Sequence, residues 1–141
     1  MNAAVLSKIA AQVAIYFQKA FDNNQVNPTL RSHDSRKFAN VMGYHAKYFM
    51  AQAYWHLGST QYKAAEDEGK GMNKAVAYLT VCVQRFEEAK PFATECGGPY
   101  LANFTAKFAE GQKILAKATD DNKKIYYEPR IAFGDLPPVD P

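Results

Sequence analysis

Histidine, cysteine and carboxylate side chains are the groups in this sequence that could perform acid–base, nucleophilic or metal chemistry. The three histidines are His33, His45 and His56, and only the last two fall on one helical segment, about three turns apart. The ligands of one metal ion must surround a single point, so this spacing does not form a metal site. We interpret each histidine as exposed or satisfied within the fold, and we predict no bound metal.

The carboxylates and thiols are equally poor candidates for catalysis. Glu66, Asp67 and Glu68 stand at the end of a helical segment beside a glycine turn, which is typical of a solvated acidic surface. Cys82 and Cys96 have no metal-binding spacing and are predicted to be reduced thiols. The sequence also contains no nucleophile motif, phosphate-binding loop or dinucleotide fingerprint. We therefore predict that the chain is not an enzyme and needs no cofactor.

The composition excludes further classes of protein. The 141 residues are 48% hydrophobic and 22% charged, which is enough apolar material for one domain with a moderate core. The net charge is +3, and the lysines and arginines are dispersed rather than gathered on one stretch, so we predict no nucleic-acid partner. No run of about 18 apolar residues and no signal peptide is present. The expected location is cytoplasmic.

The strongest structural pattern is a pair of helical segments on either side of a glycine turn. Their apolar residues recur every three or four positions, which is the helical period. In the first segment these are Phe38, Met42, Ala46, Phe49, Ala53 and Leu57, and in the second Met72, Ala75, Val76, Leu79, Val83 and Phe86. Gly69 and Gly71 supply left-handed positions for a tight reversal, so the pattern predicts an antiparallel helical hairpin. The first segment has a second apolar line, and it should be covered on two sides.

The whole chain is predicted to be all-α, with antiparallel helical hairpins in a tetratricopeptide-like solenoid. We place the helices at about residues 2–22, 35–67, 72–90 and 100–119. Ser32 or Asp34 is expected to cap the second helix, and Pro91 to end or kink the third. Residues 122–141 are rich in proline but also carry much apolar surface. We predict that they form an extended arm docked on the helices.

The first helix carries apolar residues over a wider arc than a surface helix needs. One shoulder is expected to face the core and consists of Leu6, Val13, Phe17 and Phe21. The other shoulder, Val5, Ile9 and Tyr16, must meet a further helix or a partner. No Ser, Thr or Asp marks the start, so we expect the helix to begin inside a longer one whose upstream turns are absent. The alternative is the frayed first helix of a small bundle.

Three strings of residues together resemble the BRO1 domain family. They are YFMAQAYWHLG at 48–58, GKGMNKAVAYL at 69–79 and DNKKIYYEP at 121–129, and DLPPV at 135–139 is similar to the end of the family's arm. The second string alone is common in tetratricopeptide-type hairpins, but all three in this order are specific. The resemblance spans essentially the whole chain. It corresponds to about the C-terminal two fifths of a BRO1 domain.

The resemblance implies a scaffold of endosomal sorting that is recruited to the endosomal membrane from the cytoplasm. In that family a groove binds the amphipathic C-terminal helix of a Snf7-type (charged multivesicular body protein 4) subunit of ESCRT-III, a helix-in-groove mode of recognition. The positions that match the groove contacts are Val5, Lys8, Ile9 and Gln12. Tyr126 matches a tyrosine that is tucked against the helices and, in some members, is recognised by Src-family kinases.

Two other functions stay open at the level of the sequence. The chain could be a free-standing tetratricopeptide-like module that binds a different peptide, which predicts a capped first helix and a self-contained core. It could also be a structural fragment that folds but binds no partner. Tyr126 could likewise be a packing residue alone.

Overall fold

The computed structural model describes residues 2–26, 33–137 and 139, and long helices make up most of that part of the chain. The four helices are α1 (Ala3–Val26), α2 (His33–Glu68), α3 (Met72–Cys96) and α4 (Gly98–Asp121). No strand occurs among the described residues, and the predicted all-α class is confirmed. The finer prediction of a solenoid stays a prediction.

The hairpin predicted around the glycine turn is formed by α2 and α3. Gly69 and Gly71 have φ angles of 75° and 92°, the left-handed region that glycine adopts without strain. Along the two helices, Gly43 faces Phe92, and Gly58, further along α2, faces Leu79, which stands earlier in α3. Residues later in α2 therefore contact residues earlier in α3, so the two helices are antiparallel.

Helix α2 is covered on both of its apolar sides, as its two apolar lines predict. On one side, Ala53 lies in a buried cluster with Ala10 and Ala11 of α1. On the other side, Tyr44 and Ala51 belong to the main core, which is shared with α3 and α4. Because it is flanked on both sides, α2 is the central helix of the fold.

The main core is aromatic where α2, α3 and α4 meet. The Phe86 ring is 1% exposed, and its centroid lies 6.0 to 6.4 Å from those of Tyr48, Phe104 and Phe108 in edge-to-face arrangements. Gly111 on α4 lies against this ring, and a Cβ atom there would lie 3.4 Å from it, at the short end of ordinary van der Waals contact. Phe86 therefore joins three helices through one side chain.

Two glycines inside helices are expected to respond differently to alanine. At Gly58, a Cβ atom would lie 2.6 Å from the side chain of the fully buried Leu79 and 3.3 Å from its backbone nitrogen. We expect Gly58→Ala to lower the free energy of unfolding by about 1–2 kcal/mol, because overpacking outweighs the gain in helix propensity. Gly111→Ala should stay within about 1 kcal/mol of wild type. Urea denaturation followed by circular dichroism measures both. Equal free energies of unfolding for wild type and Gly58→Ala would show that the Leu79 side chain can shift to make room for the added methyl group.

The chain after α4 forms the arm, which we define as the described residues from Asn122 onward. It contains a π-helical turn (Asn122–Tyr126), an extended segment and a 3-10 turn (Phe133–Asp135). Leu136 is buried in the main core, Ile131 packs against the same cluster, and Val139 contacts the cluster between α1 and α2. The arm therefore crosses from the end of α4 to the far side of α2.

Helix α3 is longer than predicted, because Pro91 does not end it. The helix continues to Cys96 with Pro91 inside it. Pro91 and Glu87, whose carbonyl would have accepted the missing N–H, are both exposed, so water can take the place of the lost hydrogen bond. The helix ends at Gly97, whose φ of 64° is left-handed, and α4 follows directly.

The ends of α1 and α2 also differ from the predictions. Asn2 accepts a hydrogen bond from the Val5 backbone N–H through its side-chain oxygen at 2.9 Å, so α1 has a cap, from a residue type that the search for Ser, Thr or Asp did not include. Helix α1 continues to Val26 rather than ending near residue 22. Asp34 lies within α2 rather than before it, and Ser32 lies outside the described residues.

No helix in the described part of the chain is both long enough and apolar enough to span a bilayer.

Candidate functional site: an exposed apolar face of helix α1

The outward face of α1 carries three large apolar side chains that no other described residue covers. Val5, Ile9 and Tyr16 are 41%, 47% and 62% exposed, so no further helix among the described residues meets this shoulder. The first and last of them are eleven positions apart on one helix, which is about 16 Å. Apolar side chains gathered on one exposed face, rather than scattered singly, are typical of interaction surfaces. We call this set the α1 strip.

The opposite face of α1, which packs against α2, is lined by small residues. Ser7, Ala10, Ala11 and Ala14 are buried, and the Ser7 hydroxyl donates a 2.9 Å hydrogen bond to the Ala53 carbonyl of α2. Small side chains allow the two backbones to come close, and the hydroxyl fixes their register. This contact turns the α1 strip away from the core.

The predicted core shoulder of α1 is partly wrong. Leu6, Val13, Phe17 and Phe21 are only half-buried, because the buried line lies about a fifth of a turn further round the helix. Even so, two of these rings make contacts: Phe17 stacks against Phe49, and Phe21 meets Phe92 edge to face. Hydrophobicity alone predicted that the large residues of α1 are buried. The buried residues are instead the small ones, because they allow α1 and α2 to pack closely.

Polar groups border the α1 strip on one side. At 100° per residue, Lys8 and Gln12 lie beside Val5, and Lys19 lies on the same side about 16 Å from Lys8. Lys8 and Lys19 are exposed and Gln12 is half-buried. The four residues predicted from the resemblance, Val5, Lys8, Ile9 and Gln12, thus share one continuous face. Their role in binding stays a prediction.

The histidines do not assemble a reactive site. The His45 ring packs against aromatic rings from three helices, with centroids 4.7 Å from Phe17 and 5.7 Å from Tyr100. Its Nδ1 atom is buried without a hydrogen-bond partner among the described residues, and burial lowers the pKa of His45. His45 is therefore half-buried and forms no hydrogen bond through Nδ1 with a described residue, and the expectation of an exposed or satisfied side chain stays a prediction. No cluster of three metal-binding side chains occurs in the described residues.

The acidic run and the cysteines lie as the sequence suggests. Glu66, Asp67 and Glu68 are exposed at the end of α2. Cys82 is fully buried, and burial raises the pKa of its thiol to about 12. Cys96 is half-buried, and burial together with the Glu95 carboxylate raises the pKa of its thiol. Neither thiol is poised as a nucleophile at neutral pH, because the thiolate is the reactive form.

Tyr126 closes the π-helical turn at the start of the arm. Its ring is half-buried and packs, with Val76 and Leu115, against the cluster at the turn end of the hairpin. The next residue, Tyr127, is 76% exposed. The structure thus gives Tyr126 a packing position, and its recognition by a Src-family kinase stays a prediction.

Glu128 attaches the arm to the hairpin by a contact that sequence reasoning missed. Its carboxylate accepts hydrogen bonds from the backbone N–H of Gly71 at 3.0 and 3.1 Å and from that of Asn73 at 3.1 Å. Gly71 has no side chain to cap α3, so a residue more than fifty positions later does so. The sequence does show that the start of α3 lacks a capping side chain of its own. It does not show which distant residue supplies the cap.

The electrostatics of Glu128 agree with this capping role. Burial favours the neutral acid, but the backbone N–H groups of Gly71, Asn73 and Met72 favour the carboxylate more strongly, and the pKa of Glu128 is lowered. The positive end of α3 adds to this attraction. Two more hydrogen bonds hold the backbone nearby: Asn73 donates to the Pro129 carbonyl at 2.8 Å, and Asn122 to the Glu128 carbonyl at 3.0 Å.

The fold and this face define an all-helical domain that contains the antiparallel α2–α3 hairpin and presents an apolar helix surface that no other described residue covers. Compared with known protein families, residues 1–141 match the BRO1-like domain, and the chain belongs to that family. The family is associated with scaffolds of ESCRT-dependent endosomal sorting, and its domains generally bind ESCRT-III components. A search among curated proteins finds no match.

Proposed function

We propose that this chain is a non-catalytic scaffold of endosomal sorting that binds the amphipathic C-terminal helix of a Snf7-type ESCRT-III subunit. The α1 strip is the observation that carries the proposal, because it places Val5, Ile9 and Tyr16 on one exposed face of a BRO1-like domain. Such a scaffold would lie at the surface of the endosomal membrane through its partner.

The pattern of the α1 strip suits an amphipathic helix as ligand. A ligand helix presents apolar side chains every three or four residues, and the strip offers an apolar face about 16 Å long to meet two to three turns of it. Between residues 2 and 21 the only charged residues are Lys8 and Lys19, and both border the same side. We therefore expect the bound helix to place acidic residues along that side.

The proposal predicts that Ile9→Asp weakens binding by roughly thirtyfold or more. Loss of a central apolar anchor costs about 2 kcal/mol, and a carboxylate there would also be stranded in a desolvated contact. Folding should be unaffected, because Ile9 is 47% exposed. Lys8→Glu should cost about 1 kcal/mol or less, as a charge at the edge of an interface does. The measurement is a fluorescence anisotropy titration of a labelled Snf7-type C-terminal peptide.

Leu101→Asp is the matched control, since it places the same charge at an exposed apolar position on α4. It should bind the peptide like wild type. Equal affinities of wild type and Ile9→Asp would remove α1 from the binding site, and a large fall in melting temperature would show that Ile9 is a core residue. A wild-type chain that ignores this peptide but binds another amphipathic helix would favour the tetratricopeptide-like alternative. One that binds neither would favour a structural role.

A further inference from the structure

A cavity of about 680 Å³ lies between α3, α4 and the arm, away from the α1 strip. One wall is a continuous face of α3 that runs from Asn73 through Val76 and Thr80 to Gln84, which is about 16 Å long. Leu115 of α4 and Ile131 of the arm add apolar surface. A cavity of this size, with a largely apolar surface and polar side chains among its lining residues, is typical of a ligand site.

The rim of the cavity carries exposed aromatic rings. Phe133 and Tyr127 both line it and are 58% and 76% exposed. Large, stiff rings beside an apolar floor are the groups that most often anchor peptides. The rings of Phe133 and Tyr127 therefore extend the apolar surface of the cavity toward solvent.

The free charge at this rim is positive. Lys123 and Arg130 line the cavity, and neither takes part in an ion pair among the described residues. Among the described residues of the lining Glu128 is the one acidic residue, and its carboxylate is occupied by the backbone N–H groups at the start of α3. Arginine presents a planar pair of donors that suits a carboxylate.

The wall formed by the arm is held in place before any ligand arrives. The Glu128 carboxylate and the Asn73 side chain tie the residues next to Arg130 to α3, while Leu136 anchors the far end of the arm in the core. A site whose walls are already ordered avoids the entropic cost of forming them on binding.

We propose that this cavity binds a short acidic peptide segment, which inserts one or two large apolar side chains between α3 and the arm and places carboxylates against Lys123 and Arg130. An extended segment of about five residues matches the 16 Å wall. The apolar floor accounts for the anchor, and the positive rim, whose Lys123 and Arg130 form no ion pair with a described residue, accounts for the acidic flanks. The site is separate from the α1 strip and does not depend on the function proposed for it.

The test uses three fluorescein-labelled peptides with the wild-type chain: Asp-Glu-Leu-Phe-Glu-Asp, the same peptide with Ser-Ser in place of Leu-Phe, and Lys-Arg-Leu-Phe-Arg-Lys. We expect measurable binding of the first peptide alone. Thr80→Trp, which fills the cavity, and Arg130→Glu, which reverses the rim charge at an exposed position, should each weaken that binding by roughly tenfold. Lys113→Glu, an exposed charge reversal on α4 outside the cavity, is the matched control and should bind within about twofold of wild type.

Each other outcome overturns the proposal. Equal binding of the first two peptides would show attraction by charge without an apolar anchor, and equal binding of the basic peptide would show that the rim does not select acidic flanks. Unchanged binding by Arg130→Glu, whose exposed position leaves the fold intact, would place the peptide outside this cavity even if Thr80→Trp failed to fold. No binding of any peptide would also reject the site.

Discussion

Replacing Phe86 with alanine is expected to lower the free energy of unfolding by about 3–5 kcal/mol. The ring is almost fully buried, and its neighbours Tyr48, Phe104 and Phe108 come from two other helices. Removing it takes away apolar contacts on all sides and leaves a cavity that helices held by their neighbours cannot close. A loss of this size is a large part of the stability of a typical domain.

Urea denaturation followed by far-ultraviolet circular dichroism measures this loss. The control is Tyr16→Ala, which removes an aromatic ring of similar size from a position that is 62% exposed. It should change the free energy of unfolding by less than about 0.5 kcal/mol. Similar losses in the two variants would mean that Phe86 is not at the centre of the core.

Replacing Glu128 with alanine is expected to release the start of the arm and to lower the free energy of unfolding by about 3 kcal/mol. The variant loses two charge-assisted bonds, from the backbone N–H groups of Gly71 and Asn73, each worth about 1.5 kcal/mol. It also leaves the start of α3 without a cap. Limited proteolysis should show faster cleavage in the arm before the helices unfold.

The matched control for this prediction is Asp135→Ala, which removes an exposed carboxylate from the same arm. Its cleavage rate and stability should match those of wild type. Equal protection of the arm in Glu128→Ala and wild type would show that Leu136 and the other apolar contacts hold the arm without Glu128.

The lowered pKa of Glu128 predicts that the free energy of unfolding depends on pH. Its pKa in the folded chain is below the ordinary value of 4.5, so the stabilisation is complete above that value and is lost as the pH falls through the lower folded pKa. Glu128→Gln, which cannot ionise, should be less stable than wild type at neutral pH. The difference should shrink in acid, and a difference that is constant with pH would contradict the role of the charge.

The arm connects the two surfaces proposed here. Its first half forms a wall of the cavity beside α3, and its last described residue, Val139, contacts the small-residue cluster that includes Ala10 and Ala11 beneath α1. Glu128 holds the start of the arm against α3, so its loss could change the position of the arm at both surfaces. A variant of Glu128 should therefore be examined for peptide binding at both surfaces, and not for stability alone.

Local patterns in the sequence determined the helices and the main hairpin. The three- and four-residue spacing on either side of Gly69 and Gly71 predicted α2 and α3, because helical period and left-handed glycine are properties of neighbouring residues. The exposure of Val5, Ile9 and Tyr16 followed from an apolar arc too wide for one packing face. The BRO1-like family was also visible in short strings of residues.

Only the tertiary structure decided which residues meet across the chain. Pro91 stays inside α3 because its side of the helix faces solvent, and the small residues of α1 are buried because close packing favours them over larger neighbours. The capping of α3 by Glu128 and the cavity beside the arm join residues more than fifty positions apart. Such contacts arise from how whole helices are arranged, and periodicity within a single segment shows which faces are buried but not which distant residues they meet.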